Sequence, residues 1–254
     1  MKKNRPKKKS SNRLVCMLKR IWHFLWEEDS LASWIVNIIL AFVLIKFVIY
    51  PGLGLAMGTT HPVVAVVSGS MEHKTVHPCV SNGYSYVNGQ LACVEKDNTA
   101  YEICGKEYDE KQHVDLEFFW ESCGGFYSGL GITEEEFGSY DFKNGFNTGD
   151  IIILRGIAAE DIEKGDVIVF QATKPYPIIH RVVEKRYEEG ELLFATKGDH
   201  NARQTEDDIM IKEESIIGKA VLRVPYLGWV KIAFFKLLDW VGILKLVNYI
   251  NAAF

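Results

Sequence analysis

From Leu31 to Met57 the chain is almost continuously apolar, LASWIVNIILAFVLIKFVIYPGLGLAM, broken by Asn37 and Lys46. A run of this length crosses a hydrocarbon core of roughly 30 Å as one helix. Beyond it the period changes. PVVAVVSGS (62–70), GDIIILR (149–155), GDVIVFQ (165–171), IIHRVVE (178–184), ELLFATKGD (191–199) and IIGKAVLRV (216–224) are short β-branched runs divided by Gly-Asp and other polar turns. They predict strands, and together a mainly β fold built as an antiparallel sheet or partly closed barrel. Thr133 followed by Glu134, Glu135, Glu136 and Phe137 is a capping-box pattern that predicts the start of a short helix. From Tyr226 to Phe254 the chain is apolar again, with Lys231, Lys236, Asp239 and Lys245 on one half of a helical wheel. An amphipathic helix lying in the outer membrane interface fits this pattern, and a helix packed on the sheet is the other reading.

These patterns divide the chain into a basic tail and interfacial segment (1–30), a transmembrane helix (31–57) and a β domain made of 58–72 and 149–225. A cysteine-containing α+β insertion (73–148) and a membrane-associated C-terminal helix (226–254) complete it. With 48% hydrophobic and 24% charged residues, disorder and collagen-like structure are excluded. The net charge of -4 conceals a split. Met1 to Arg20 carries nine of the 29 Lys and Arg and no acid, so the rest of the chain is acidic. A basic tail can bind nucleic acid, but an apolar run follows closely and no zinc-finger or aromatic RNA-binding signature is present, so no nucleic acid is expected. The positive-inside rule places the N-terminus in the cytoplasm and everything after Pro51 outside, in a single-pass arrangement at the cell membrane. Gly54-Leu55-Ala56 also offers a cleavable-signal reading. The length of the run and the thirty residues before it favour a retained anchor.

Ser68-Gly69-Ser70-Met71 closes the first strand-like run, His180 sits inside IIHRVVE, and Asp199 lies in Thr196-Lys197-Gly198-Asp199-His200-Asn201. Singly, these read as a turn serine, a core or edge histidine and a turn aspartate. Together they supply the residue types of a Ser-His-Asp arrangement, which is defined by geometry and not by chain order.

The strand ending in SGSM, the GDIIIL and GDVIVF pair, HRVV and TKGDHN stand in the order found in type I signal peptidases. The chain resembles the archaeal and endoplasmic-reticulum branch of that family, in which histidine takes the place of the bacterial lysine base. The resemblance covers about residues 30–72 and 149–230. It implies Ser70 as nucleophile, His180 as general base, and the Ser70 backbone N–H with the Ser68 hydroxyl as oxyanion donors. It also implies that Asp199 orients the imidazole, with a second aspartate a few residues on. Thr205 occupies the usual spacing of that aspartate, and Asp207 and Asp208 are both candidates for it. His73 stands where many relatives place proline. Lys174, Lys185 and Lys197 flank the relevant strands and are the alternative bases of a Ser-Lys dyad, though none takes the position that His180 fills.

Cys79, Cys93, Cys104 and Cys123 all lie in the insertion, whereas Cys16 lies in the tail. Four cysteines in an extracytoplasmic segment predict two disulfides with three possible connectivities. Free thiols, or a metal site drawing on His77 and His113, are the alternatives. The expected function is a membrane-bound serine endopeptidase that removes signal peptides from preproteins after small residues, with no cofactor. Its expected partners are preprotein signal peptides, the lipid bilayer and the translocation machinery. The other readings are a non-catalytic membrane assembly subunit and a self-cleaving repressor-type protease.

Overall fold

A computed structural model describes residues 13–76, 79–87, 90–95, 101–174, 176–188, 190–230 and 233, with 13–14, 79–87 and 90–95 as backbone alone. The chain forms two compact units, Met1–Ala56 and Met57–Phe254.

In the first unit, α1 (Arg13–Trp26) is followed by α2 (Leu31–Leu44), a π-helical turn (Ile45–Ile49) and α3 (Tyr50–Met57). The last three run on as one 27-residue apolar helix, Leu31–Met57, long enough to cross a membrane. Ser30 caps its start by accepting the Ser33 N–H. The polar interruptions at Ser33 and Asn37 have a local purpose: Ser33 Oγ donates to Phe24 O at 2.6 Å and Asn37 Nδ2 to Leu25 O at 2.9 Å. Both bind carbonyls that the end of α1 leaves without helical partners. The π turn precedes Pro51, whose ring nitrogen cannot donate to the preceding turn, and Tyr50 N–H reaches back to Ile45 O instead.

The second unit is a mainly antiparallel sheet curled into a half-barrel. Its elements are β1 (Val63–Ala65), β2 (Cys79–Val87), β3 (Gln90–Glu95), β4 (Tyr101–Ile103), β5 (Lys106–Tyr108), α4 (Leu116–Gly129) and α5 (Glu134–Ser139). They continue as β6 (Ile151–Arg155), β7 (Val167–Phe170), β8 (Ile178–Glu188), β9 (Glu191–Lys197), β10 (Ile211–Lys212) and β11 (Ile216–Val224). Seven strands form the main sheet in the order β1-β6-β11-β7-β8-β9-β10, while β2-β3 and β4-β5 are separate hairpins.

Two of the three Gly-Asp pairs, Gly149-Asp150 and Gly165-Asp166, form the same turn twice. Gly149 and Gly165 both have positive φ, at 90° and 96°. The following aspartates accept backbone N–H groups three residues back, Asn147 to Asp150 at 2.8 Å and Glu163 to Asp166 at 2.9 Å. Each then pairs with a cation on β11, Arg223 for Asp150 and Lys219 for Asp166, both at 2.6 Å.

β7 is buried on both faces, which is why it reads as an unbroken apolar run. Val167 and Val169 pack with Val66, Met71, Ile152 and Leu154. Ile168 and Phe170 pack on the other side with Ile178, Val182 and Phe194. The insertion packs directly on the sheet. Its Ile103, Phe119, Tyr127, Ile132 and Phe137 share one buried cluster with Val183 and Ala195 of β8 and β9. Thr133 caps α5 as its sequence predicts. Cys104 and Cys123 are joined by a disulfide. The side chains of Cys79 and Cys93, together with His77, lie outside the described residues. So does the expected helix over 226–254 beyond its first turn.

Candidate active site

Side chains alternate along a strand, and this sorts the charged residues of β8. His180 shares a face with Ile178 and Val182, pairs with Ile168 of β7, and meets the Phe170 ring edge-on at 6.5 Å. Arg181 points the opposite way, toward the insertion. The chain from Ser68 to Glu72 turns tightly, Glu72 N–H donating to Gly69 O at 3.0 Å, and delivers half-buried Ser70 to the ring. His180 Nε2 lies 3.0 Å from Ser70 Oγ, and His180 Nδ1 lies 2.5 Å from Asp208 Oδ1.

Asp208 is fully buried and saturated with donors. Thr196 Oγ1 donates to Oδ1 at 2.7 Å, while Thr205 N and Oγ1 donate to Oδ2 at 2.8 and 2.7 Å. Thr205 and Asp208 thereby close a capping box around the short 3-10 turn Glu206–Asp208. Burial on its own raises the Asp208 carboxyl, but the hydrogen bond and charge of His180, with the Thr205 bonds, bring it down to about 2. An ionised carboxylate only accepts, so His180 Nδ1 is the donor of that contact, and Nε2 is the ring nitrogen turned to the Ser70 hydroxyl. A hydroxyl in line with an imidazole and a buried carboxylate is the arrangement of an activated nucleophile. Ser68 Oγ lies 3.3 Å from Ser70 Oγ.

The sequence reading gave Asp199 the imidazole. The geometry gives that place to Asp208, and strand alternation explains the difference. Asp199 follows β9 on the Arg181 side, where Arg181 Nε and Nη2 donate to its two oxygens at 3.0 and 2.7 Å. Tyr127 Oη donates to Oδ1 at 2.9 Å, and His73 Nε2 lies 3.0 Å from Oδ2. The remaining Arg181 donors reach Asp141 O, Gly165 O and Phe142 O, each at 2.9 Å. Burial opposes ionisation of Asp199, yet Arg181, followed by His73, holds its carboxyl well below the usual carboxylate range. Burial, followed by the Asp199 charge, pushes the Tyr127 phenol well above its ordinary value.

Asp207 faces away from the imidazole and accepts from Thr173 Oγ1 at 2.7 Å. Lys174 lies 3.6 Å from that same carboxylate, and Lys185 donates to Glu160 O. Lys197, fully buried, donates to the carbonyls of Gly198 and Asp199 at 3.1 Å each. Burial lowers the Lys197 ammonium to about 8, against the pull of Asp199 and Asp208.

Sequence reasoning missed several supporting groups. Gly198 is one, since a Cβ there would lie 2.7 Å from His180 Nε2 and 2.8 Å from Ser70 O. Thr196 and Thr205 hold Asp208. Tyr127 and His73 hold Asp199, and the His73 ring stacks on Phe119 at 3.8 Å. A charged Arg181 inside an apolar strand was the one visible signal, because such a residue demands a buried acid.

No family model matches the chain. Among curated proteins it is 32% identical over 109 residues to signal peptidase I W of Bacillus subtilis, covering 42% of this chain and 53% of that protein. It is 31% identical over 96 residues to the human signal peptidase complex catalytic subunit SEC11C, covering 34% of this chain and 49% of the relative. The corresponding SEC11 subunit of Colletotrichum graminicola is 35% identical over 96 residues, covering 34% of this chain and 55% of the relative. The chain therefore spans about half the length of the curated relatives it matches. Its curated homologues are signal peptidase I and the SEC11 signal peptidase subunits, at modest identity over part of the chain.

Proposed function

We propose that this chain is a membrane-anchored serine endopeptidase that cleaves signal peptides from secreted and membrane preproteins after small residues. The observation that supports this reading is the line Ser70 Oγ, His180, Asp208, with contacts of 3.0 and 2.5 Å. In it, His180 Nε2 takes the Ser70 proton as Oγ attacks the scissile carbonyl, and Asp208 stabilises the imidazolium. The Ser70 N–H and the Ser68 hydroxyl donate to the oxyanion. His180 then protonates the leaving amine, and water, deprotonated by the same ring, hydrolyses the acyl-enzyme. The Leu31–Met57 helix anchors the chain with the basic tail in the cytoplasm and the β domain outside. There the enzyme meets preproteins emerging from the translocation machinery while their apolar segments are still held in the bilayer.

Purified wild type and Ser70→Ala, compared on a preprotein whose apolar segment ends in Ala-x-Ala, test this reading. Wild type is expected to cut once after the second alanine and Ser70→Ala not at all, with both proteins folded and membrane-bound. Equal cutting by the two would overturn the assignment.

A further inference from the structure

We propose that the Cys104–Cys123 bridge is a positioning element of the Ser70 site, so that its thiol–disulfide state sets turnover. This rests on the reading of Ser70 as nucleophile and goes beyond it, because the bridge belongs to the insertion and touches no reacting atom.

Two hydrogen bonds connect the bridge to the nucleophile. His200 N–H donates to Ser70 O at 2.9 Å, and Cys104 N–H donates to His200 O at 3.0 Å. Cys104 Sγ also lies 3.2 Å from Asp199 O. The 199–202 segment is thus pressed between the nucleophile's own backbone and the turn that joins β4 to β5. Cys104 and Gly105 form that turn with φ of 54° and 77°. Two successive positive φ values define the tight hairpin turn that favours Asn or Gly, so a cysteine at its first position sits in an unfavourable backbone conformation. The bridge to buried Cys123 on α4 opposes relaxation of that conformation. Contact with the 199–202 segment is close: a Cβ on Gly105 would lie 2.9 Å from Ala202 Cβ. A second attachment, the mutual backbone bonds of Val76 and Glu102 at 3.0 and 2.6 Å, keeps β4 in place when the bridge opens. Opening therefore frees the Cys104 turn without unfolding the sheet.

The chemistry balances with a dithiol as reductant. One thiolate attacks a bridge sulfur, forming a mixed disulfide and releasing one cysteine thiolate. The second thiol then displaces the other cysteine. Two electrons and two protons pass to Cys104 and Cys123, and the dithiol leaves as its cyclic disulfide. Misplacing a reacting group by about 1 Å can cost about 10²-fold in rate, whereas contacts made away from the reacting atoms, which set KM, change little.

The test measures kcat and KM for preprotein cleavage, together with the rate of Ser70 labelling by a fluorophosphonate, well below the melting temperature of each protein. Full-length wild type is compared with and without dithiothreitol, beside the double variant Cys104→Ser, Cys123→Ser. Reduced wild type is expected to lose about fivefold or more in kcat and in labelling, with KM within about twofold. The double variant is expected to be equally slow and indifferent to dithiothreitol. Gly105→Ala, which crowds Ala202 with the bridge intact, is expected to show the same split between kcat and KM. Unchanged kcat in both the reduced wild type and the double variant would overturn the proposal. So would a double variant that still responds to dithiothreitol, because the response would then belong to other cysteines. Oxidised wild type that is never labelled at Ser70 would overturn the nucleophile reading instead.

Discussion

Asp199 and Asp208 stand nine residues apart in sequence, both fully buried, both held ionised, and both bonded to neighbouring residues of one strand. Their partners differ in kind. Asp199 faces Arg181, a permanent cation whose five N–H donors are all used, with Tyr127 and His73 completing its contacts. Asp208 faces His180, whose charge can change during a reaction. The same carboxylate thus holds a buried guanidinium in one place and, in the other, the imidazole that meets Ser70. Side-chain alternation on β8 decides which is which. An ionised, buried aspartate beside a histidine does not by itself mark a reaction site: His73 beside Asp199 stacks on Phe119, whereas His180 beside Asp208 meets the Ser70 hydroxyl.

The sharpest way to break this comparison is to exchange each carboxylate for its amide. Asp208→Asn is expected to reduce kcat/KM on the order of 10⁴-fold, because an amide accommodates the wrong imidazole tautomer while leaving the ring in place. A loss below about tenfold would mean that Asp208 neither orients the imidazole nor stabilises the imidazolium. The same substitution has a signature in acid. A folded-state value of about 2 lies below the ordinary value of about 3.9. The stabilisation from Asp208 is therefore complete above pH 4 and is lost as pH falls through about 2. Acid titration of thermal stability should show that descent in wild type and a shallower one in Asp208→Asn.

Asp199→Asn should instead act on the fold. It leaves Arg181 and its guanidinium uncompensated in a buried site, a loss of about 3–5 kcal/mol. That corresponds to a fall of roughly 6–20 °C in Tm for a domain of this size. Calorimetry beside single-turnover kinetics separates the outcomes. Near-native Tm with a dead enzyme would reverse the roles given to the two aspartates.

The sequence carried much of this and concealed the rest for identifiable reasons. Strands β6 and β7 were legible because Gly149-Asp150 and Gly165-Asp166 are each followed by a β-branched run, and Ser70 and His180, which the structure brings within 3.0 Å, stand in motifs contiguous in the sequence. The third residue was not. Asp199 occupies a motif position, but whether it reaches His180 or Arg181 depends on which face of β8 it meets, and that is a property of the folded sheet. Asp208 reaches His180 only because Thr205 starts a capping box three residues earlier, and a Thr-Glu-Asp-Asp sequence is too common to announce it. His73 read as a departure from relatives; its use appeared only when Phe119 and Asp199 arrived from distant parts of the chain. Residues 73–148 read as an inserted subdomain because the composition changes there. It shares its core with Val183 and Ala195, which no local pattern could indicate.

Lys197 sharpens the comparison further, because its ammonium feels both carboxylates and pairs across the sheet with Arg181. Burial lowers it to about 8 from an ordinary 10.5, so between these values the unfolded chain holds a proton that the folded chain does not. Stability from this group therefore rises with pH across that window. Other groups titrate there too, so the quantity to follow is the difference in unfolding free energy between wild type and Lys197→Met. It should move in favour of wild type by about 2 kcal/mol from pH 8 to pH 10.5. A flat difference would show that the ammonium is not desolvated in solution.

Asp207 supplies the smallest effect and the strictest control, because it differs from Asp208 by one position in the chain. Its carboxylate accepts from Thr173 N and Oγ1 and pairs with Lys174, while the imidazole lies on the far side of the same 3-10 turn. The Thr173 hydrogen bond leads the lowering of its pKa, and an exposed lysine partner adds only a screened attraction. Asp207→Asn keeps the side-chain oxygen that Thr173 binds and removes only the charge. Stability should therefore change by less than about 0.5 kcal/mol. kcat/KM should stay within about twofold of wild type, since no charge is altered at His180 or Ser70. If Asp207→Asn instead loses activity on the scale of Asp208→Asn, the 3-10 turn adopts a second register in solution, in which Asp207 faces His180. A double substitution of both aspartates then decides, because two residues that alternate at one position lose more together than either loses alone.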